Sequence, residues 1–228
     1  MWKILEPYFE LLFPVVCPCC GSSIQQSGKH LCNWCSKQRF EDAEIDKNLF
    51  LPDSVKRQFS MWKFDKGGYL QQMLHNLKYN FLQSVGEDLG IILAEKFLSV
   101  HQGQLNELFR HGEPIIVPVP LHKSKLRKRG FNQAGALARG FSRKTGWQVI
   151  PQGSVQRIKR TTTQTGLSSE KRTSNLKNAF LLQENEDLEY KTPVIIDDVF
   201  TTGATTFELA GVLNEKSNPA VIVTVAKA

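Results

Sequence analysis

The chain has 228 residues, of which 41% are hydrophobic and 22% charged, a composition typical of a folded globular protein rather than a disordered or fibrous one. Its length fits one α/β domain with a small appendage. No stretch approaches the roughly 20 apolar residues that a membrane-spanning helix needs, and the net charge of +7 is concentrated in one region described below.

The N-terminal residues 1–16 are apolar and aromatic, but Glu6, Pro7 and Glu10 interrupt them and no small-residue cleavage site follows. We therefore expect a packing helix here rather than a signal peptide. A membrane-surface helix is the alternative, which the acidic character of the polar side disfavours. The predicted location of the protein is the cytoplasm, without a membrane span.

Four of the five cysteines form two C-x2-C pairs, Cys17 with Cys20 and Cys32 with Cys35, with eleven residues between the pairs. Two such pairs supply the four thiolates of a structural, tetrahedral zinc site, and a segment with so little apolar core needs that support. Free or redox-active cysteines are the alternative. We expect Cys19 to lie beside the metal without binding it, and a site closed by four thiolates has no open position for catalysis.

The pattern changes from Asp53 onward, and hydrophobic periodicity predicts alternating strands and helices. Leu70, Met73, Leu74 and Leu77 recur at helical spacing and indicate one buried helix face. In chain order, the predicted elements are a strand at 55–64, helices at 69–79 and 81–98, a strand at 114–117 with a proline-rich turn after it, a helix that begins at 129–134, a strand at 194–196 and a helix at 206–215.

Residues 121–177 hold fourteen Lys or Arg and a single acid, Glu170, a net charge of +13 that leaves −6 for the rest of the chain. So concentrated a positive charge favours a polyanionic ligand, such as a polyphosphate or nucleic acid. A solvated basic face that keeps the protein soluble is the alternative.

Residues 194–206 read V-I-I-D-D-V-F-T-T-G-A-T-T, and this stretch carries the most specific chemistry of the chain. A buried strand leads into two carboxylates, which can accept hydrogen bonds from neighbouring sugar hydroxyls. The turn that follows can bind a phosphate monoester through threonine hydroxyls, free N–H groups and the positive end of a helix dipole. The candidate ligand-binding residues are Asp197, Asp198, Thr201, Thr202, Gly203, Ala204 and Thr205. An ordinary strand–turn–helix is the alternative.

This segment resembles the 5-phosphoribosyl 1-pyrophosphate (PRPP) signature of the type I phosphoribosyltransferases. The resemblance implies that Asp197 and Asp198 hold the ribose hydroxyls and that residues 201–205 hold the 5-phosphate. It also implies a pyrophosphate loop after the strand at 114–117, and Mg²⁺ bound mainly through substrate oxygens. The loop consists of Val119, Pro120, Leu121 and His122.

Two further stretches, R-G-F-N-Q-A at 129–134 and the polar, basic residues 157–175, resemble the competence protein F (ComF) family. In that family a four-cysteine zinc module precedes a phosphoribosyltransferase domain. The second stretch would then be a flexible loop that closes over PRPP, with a disordered surface loop as the plain alternative. Its candidate contacts are Arg157, Arg160, Gln164 and Arg172.

The sequence therefore predicts a zinc-binding module at 1–48 and a type I phosphoribosyltransferase-like α/β domain at 49–228, with a parallel sheet flanked by helices. Two functions stay open. The first is Mg²⁺-dependent PRPP binding, with transfer of the phosphoribosyl group to an unidentified acceptor. The second, favoured by the family's link to DNA uptake, is handling of single-stranded DNA by the basic segment together with the DNA-uptake machinery. Ligand sensing without catalysis is a third possibility, and no residue is identified as a general base.

Overall fold

A computed structural model describes residues 15–24, 29–46, 48–79, 83–159, 178–184 and 187–228. The predicted N-terminal helix, and Arg160, Gln164 and Arg172 of the predicted flexible loop, lie outside these ranges. Within them, no helix combines the length and the apolar character needed to cross a lipid bilayer.

The elements follow the predicted order. They are α1 (Asn33–Lys37), β1 (Val55–Lys63), α2 (Tyr69–Tyr79), α3 (Gln83–Val100), α4 (Leu105–Leu108), β2 (Glu113–Pro118), α5 (Lys123–Arg129), α6 (Gln133–Thr145), β3 (Gln148–Val149), β4 (Val155–Arg157), β5 (Phe180–Leu182), β6 (Lys191–Phe200), α7 (Ala204–Asn214) and β7 (Ala220–Lys227).

Two predicted boundaries are wrong. The helix expected to begin at 129–134 is two helices, because Gly130 ends α5 in the left-handed conformation and Asn132 caps α6. The strand expected at 194–196 extends to Phe200, because its neighbour β7 continues to pair with it beyond the acidic residues.

Five parallel strands form the central sheet in the order β1-β7-β6-β2-β3, and β4 pairs with β5 in a separate antiparallel hairpin. This confirms the predicted α/β class. The chain leaves β2 towards β3 on one side and leaves β6 towards β7 on the other, so the order reverses between β2 and β6. In sheets of this kind, a crevice opens at the carboxyl ends of the two strands that flank the reversal.

Each face of the sheet packs against its own layer. Val194 and Ile196 of β6 belong to one core cluster together with α2, α3 and α6, whereas Ile195 belongs to a second cluster together with α7. Helices α3 and α6 approach each other closely, since a Cβ at Gly90 would lie 2.0 Å from the Leu137 carbonyl oxygen. This alternation decides which side of the sheet each acidic residue at the end of β6 faces.

The cysteine-containing segment packs against the α/β part of the chain. Cys17 and Cys35 share the first core cluster with Trp62 of β1. The ring of Phe40 lies 4.6 Å from that of Trp62, and Asp42 forms a β-bridge with the same residue. The two parts therefore share one core, and the boundary at residue 48 stays a prediction.

Candidate functional site

Asp197 and Asp198 lie within strand β6, close to its carboxyl end at Phe200, and not in the loop after it. Because successive strand residues face opposite sides, Asp198 faces the α2–α3–α6 layer, whereas Asp197 faces the α7 side. Asp198 is only 5% exposed, and Asp197 is partly exposed. The backbone N–H of Asp198 donates a hydrogen bond to Oδ1 of Asp197 at 2.9 Å, which fixes one carboxyl against the other.

Lys78, in the last turn of α2, forms an ion pair with Oδ2 of Asp198. Its side chain is 26% exposed, so the pair lies largely away from water. Lys78 is not among the site residues predicted from the sequence. The one signal available was its position four residues after Leu74, at the edge of the apolar stripe, which places it beside the buried face of the helix.

The two carboxyl groups differ in protonation. Burial, together with the charge of Asp198, raises the pKa of Asp197 well above its ordinary value. Burial by itself would also raise the pKa of Asp198, but Lys78 outweighs it and holds that pKa below its ordinary value. Asp198 therefore ionises before Asp197 as the pH rises.

The loop after β6 turns directly into α7. Gly203 caps this helix with φ of +77° and no side-chain cap, and Thr201 and Thr202 are exposed. A Cβ at Gly203 would lie 2.4 Å from the Phe207 ring, so both conformation and space require glycine here. The Ala204 N–H donates a long hydrogen bond to Oγ1 of Thr202 at 3.5 Å. The other first-turn N–H groups, such as that of Thr205, have no carbonyl partner within the helix, the arrangement that suits an anion.

The turn after β2 lies beside β6, as predicted. Pro118 is in register with Ile196, the residue before the acidic pair, and the Val119 N–H donates to the Ile196 carbonyl at 3.0 Å. Pro120 has no N–H, so Leu121 and His122 are the loop residues whose N–H groups could meet a ligand. His122 caps α5 through its ring nitrogen, which accepts from the Ser124 N–H.

Asn132, within the R-G-F-N-Q-A stretch, ties this turn to the next helix. Its Nδ2 donates to the Val119 carbonyl at 3.0 Å, while its Oδ1 accepts from the Ala134 N–H at the start of α6. One side chain thereby fixes the position of the turn relative to α6. The sequence showed the motif but not this role.

Arg157 is the one predicted flexible-loop contact within the described ranges. It ends β4, its guanidinium lies 5.4 Å from the centre of the Phe180 ring, and it interacts electrostatically with Asp197. The hairpin β4–β5 therefore brings a cation to the Asp197 side of the sheet. The roles of Arg160, Gln164 and Arg172 stay predictions.

The predicted cysteine set lies together. One sulfur from each of Cys17, Cys20, Cys32 and Cys35 lies within 4.8 Å of the others, and the Cys20 and Cys32 sulfurs are 3.6 Å apart. Zinc–sulfur bonds of about 2.3 Å in a tetrahedron place sulfurs about 3.8 Å apart, so this cluster could bind a metal such as zinc.

The turns around the cysteines have the local geometry of such a site. Gly21 has φ of +75° and closes the first turn, and the Cys35 N–H points at the Cys32 sulfur at 3.4 Å. A hydrogen bond with Ser22 lowers the pKa of the Cys20 thiol to about 6, whereas burial raises the pKa of Cys32, of Cys35 and of Cys19. These shifts do not separate the predicted ligands from Cys19, which differs from them because its sulfur is not in the cluster.

The basic region divides into paired and unpaired cations. Arg139 and Arg143 of α6 both bind Glu87 of α3, at 2.9 and 2.8 Å. By contrast, three exposed cations of α5 form no ion pair with any residue that the structure describes. They are Lys123, Arg127 and Lys128. Among the described residues of the basic region, those of α5 are therefore the most available to a polyanion.

Comparison with known proteins identifies the family to which the chain belongs. No family model matches the chain. The chain is 33% identical over 204 residues to competence protein F of Haemophilus influenzae, which covers 87% of this chain and 78% of that protein. It is 34% identical over 154 residues to the DNA utilization protein YhgH of Escherichia coli K12, covering 68% of this chain and 65% of that protein. Identity to competence protein ComFC of Bacillus subtilis is 26% over 218 residues, 91% of this chain and 81% of the relative. The chain belongs to the competence protein F family.

Proposed function

We propose that the crevice at the carboxyl ends of β2 and β6 binds PRPP. The observation that carries the proposal is the pairing of an acidic dyad, Asp197 and Asp198, with a helix start whose N-cap residue, Gly203, has no side chain, at the point where the strand order reverses. A sugar phosphate needs both features at once, since hydroxyls are bound by carboxylates and phosphate by free N–H groups.

In the proposed complex, PRPP lies across the carboxyl ends of β6 and β2, with its 5-phosphate and ribose at β6 and its pyrophosphate at β2. The 5-phosphate binds the N–H groups and hydroxyls of residues 201–205, and the ribose hydroxyls bind Asp197 and Asp198. The pyrophosphate lies over the neighbouring turn after β2, at Leu121 and His122. Magnesium, bound mainly through pyrophosphate and ribose oxygens, would neutralise part of the ligand charge.

Lys78 makes the acidic dyad compatible with a polyanion. Two ionised carboxylates would repel a ligand with several negative charges, but the Lys78–Asp198 ion pair offsets one of these charges, and the raised pKa of Asp197 delays the second as the pH rises. While Asp197 is protonated, its carboxyl can donate a hydrogen bond as well as accept one.

Bound in this way, PRPP is placed for transfer to an acceptor. The bond between ribose C1 and the pyrophosphate oxygen breaks, pyrophosphate leaves with the bonding electrons, and a lone pair of the acceptor forms the new bond at C1. Cations and N–H groups around the leaving pyrophosphate stabilise its developing charge.

The four-cysteine cluster holds structural zinc, which keeps the cysteine-containing segment folded against β1.

Thermal unfolding with three ligands tests the proposed site. PRPP at about 100 times its dissociation constant should stabilise the fold by about 2.7 kcal/mol, a rise in Tm of roughly 5–11 °C for a chain of this size. Ribose 5-phosphate and pyrophosphate alone should each give a smaller rise. In Asp197→Asn/Asp198→Asn the PRPP effect should vanish. An equal PRPP effect in this variant would show that the ligand binds elsewhere.

The second candidate function is the binding of single-stranded DNA by the α5 surface. The exposed, unpaired cations of α5 favour it, as do the printed names of the relatives, which describe competence and DNA utilization. Membership of the family supports a link to DNA uptake for this chain.

Two variants with the same change in charge test the DNA proposal. Arg127→Ala/Lys128→Ala removes one arginine and one lysine from α5, whereas Arg143→Ala/Lys144→Ala removes the same two residue types from cations already paired with Glu87 and Glu95. The first should weaken binding and reduce the slope of log K against log salt by about 1.4, since each phosphate contact on a single strand contributes about 0.7. Equal losses in both variants would mean that only net charge matters and that α5 is not the binding surface.

A further inference from the structure

A cavity of about 640 Å³ opens beyond the turn after β2, on the side away from β6. It lies at the carboxyl ends of β2 and β3, between α5, α6 and strand β4; we call it the β3 cavity. Its volume is within the range of about 300–1,000 Å³ that small-molecule sites occupy. Neither acidic residue of the proposed PRPP site lines it, but Pro120 and Leu121 do, so the cavity shares the turn after β2 with that site.

The β3 cavity has apolar walls and a cationic rim. Pro118, Phe131 and Ile150 are among the apolar residues of the wall, while Lys123 and Arg157 bring positive charge to it. None of the described residues that line it is acidic. An apolar interior with cations at the mouth suits a flat, uncharged ring attached to an anion, the chemistry of a nucleotide.

Gly135 gives an independent indication that this space is kept open. It lies inside α6, where glycine costs about 1 kcal/mol relative to alanine. Close packing explains Gly140 of the same helix, since a Cβ there would lie 1.9 Å from the Glu87 carbonyl oxygen. A Cβ at Gly135 would come no closer than 3.6 Å to a neighbouring atom, an ordinary contact, and would enter the cavity wall. Helix packing therefore does not require this glycine.

Leu126 connects the β3 cavity to the basic surface of α5. It lines the cavity and is 37% exposed, although its neighbours along the helix are mostly cations. Lys123, which also lines the cavity, is one turn earlier in the same helix. Apolar and cationic groups thus alternate along one short path, as in grooves that hold both the bases and the phosphates of a single strand.

We propose that the β3 cavity receives one unstacked base of single-stranded DNA, whose phosphates contact Lys123, Arg127 and Lys128 on α5. The proposal rests on the second candidate function and adds to it the place where a base, rather than the backbone alone, is bound. Gln152 and Gln156 supply amide groups at the wall for hydrogen bonds to the edge of the base.

The test compares two oligonucleotides of about 12 nucleotides, a length within known site sizes, one of oligo(dT) and one with the same phosphates but no bases. We expect the wild-type chain to bind oligo(dT) about tenfold more tightly, the contribution of one stacked base. Gly135→Leu fills the cavity and should reduce this ratio to about one without weakening the abasic strand. Gly211→Leu is the matched control, because Gly211 lies in α7 with open space around it.

The outcomes separate the cavity from the DNA function. Arg127→Ala/Lys128→Ala should weaken both strands equally and keep the ratio. A ratio in Gly135→Leu equal to that of wild type would refute the cavity assignment while leaving DNA binding in place. If wild type binds neither strand, the DNA function is wrong, and the cavity assignment with it. Zinc content and Tm, measured for each variant, establish that the fold is retained.

Discussion

Replacing Lys78 by methionine should destabilise the protein more than any loss of a surface ion pair. Methionine keeps most of the aliphatic length but leaves Asp198, with an 8% exposed side chain, without its counter-charge. Breaking a buried ion pair costs about 3–5 kcal/mol. Because the Lys78 side chain is 26% exposed, we expect the low end of that range, about 3 kcal/mol, or a fall in Tm of roughly 6–12 °C.

The effect should depend on pH in one direction. In the wild type the pKa of Asp198 is lowered, so its contribution to stability is complete above the unfolded value of about 3.9 and is lost as pH falls through the folded value. Without Lys78, burial raises the pKa of Asp198, and the variant becomes less stable as pH rises through that value. The difference between the two proteins should therefore be largest near neutral pH and shrink in acid.

The assay is chemical and thermal unfolding of both proteins, with zinc held saturating, between mildly acidic and neutral pH. Lys144→Met is the control, because Lys144 forms an exposed pair with Glu95 at 2.8 Å. It should cost about 0.5 kcal/mol at most and show little pH dependence. Equal losses in Lys78→Met and Lys144→Met, or a loss from Lys78→Met that does not shrink in acid, would refute the assignment of a buried ion pair.

Three further predictions concern the same sites. Cys32→Ser should lose most bound zinc and lower Tm, whereas Cys19→Ala should retain near-stoichiometric zinc; equal metal contents, measured by chelator release, would contradict the ligand set. Asp197→Asn removes a carboxyl whose pKa is raised in the folded protein. The contribution of such a group to the free energy of unfolding falls as pH rises from its unfolded pKa towards its folded pKa. The variant should therefore gain stability over wild type as pH rises above the unfolded value of about 3.9, and urea unfolding that shows no such gain would oppose the protonation scheme. Gly203→Ala should cost about 1–3 kcal/mol in thermal unfolding because of its positive φ, whereas Gly211→Ala should be neutral or stabilising; similar behaviour of the two would argue against a strained helix start.

Local pattern predicted the elements that have one clear periodicity. The helix Tyr69–Tyr79 was predicted with its observed boundaries, because Leu70, Met73, Leu74 and Leu77 fill one face and all are buried. The spacing of the cysteines likewise predicted the four-cysteine cluster, because two C-x2-C pairs are typical of four ligands that share one metal ion.

Features that depend on distant segments were not predictable in the same way. The extension of β6 to Phe200 depends on β7, which pairs with it from the far end of the chain. The contact between Lys78 and Asp198 joins α2 to β6 across 120 residues of sequence, and nothing in either segment specifies the partner. The N–H of Val119, predicted as a pyrophosphate donor, instead donates to Ile196, because the sheet ladder runs one residue beyond β2.

The most direct test of the account is calorimetric titration of the zinc-loaded protein with PRPP, with and without Mg²⁺. We predict saturable binding of one PRPP per chain that strengthens with Mg²⁺ and is lost in Asp197→Asn/Asp198→Asn. A folded, zinc-loaded wild-type protein that gives no heat with PRPP, or a double variant that binds it as tightly, would contradict the central claim that the crevice between β2 and β6 is a PRPP site.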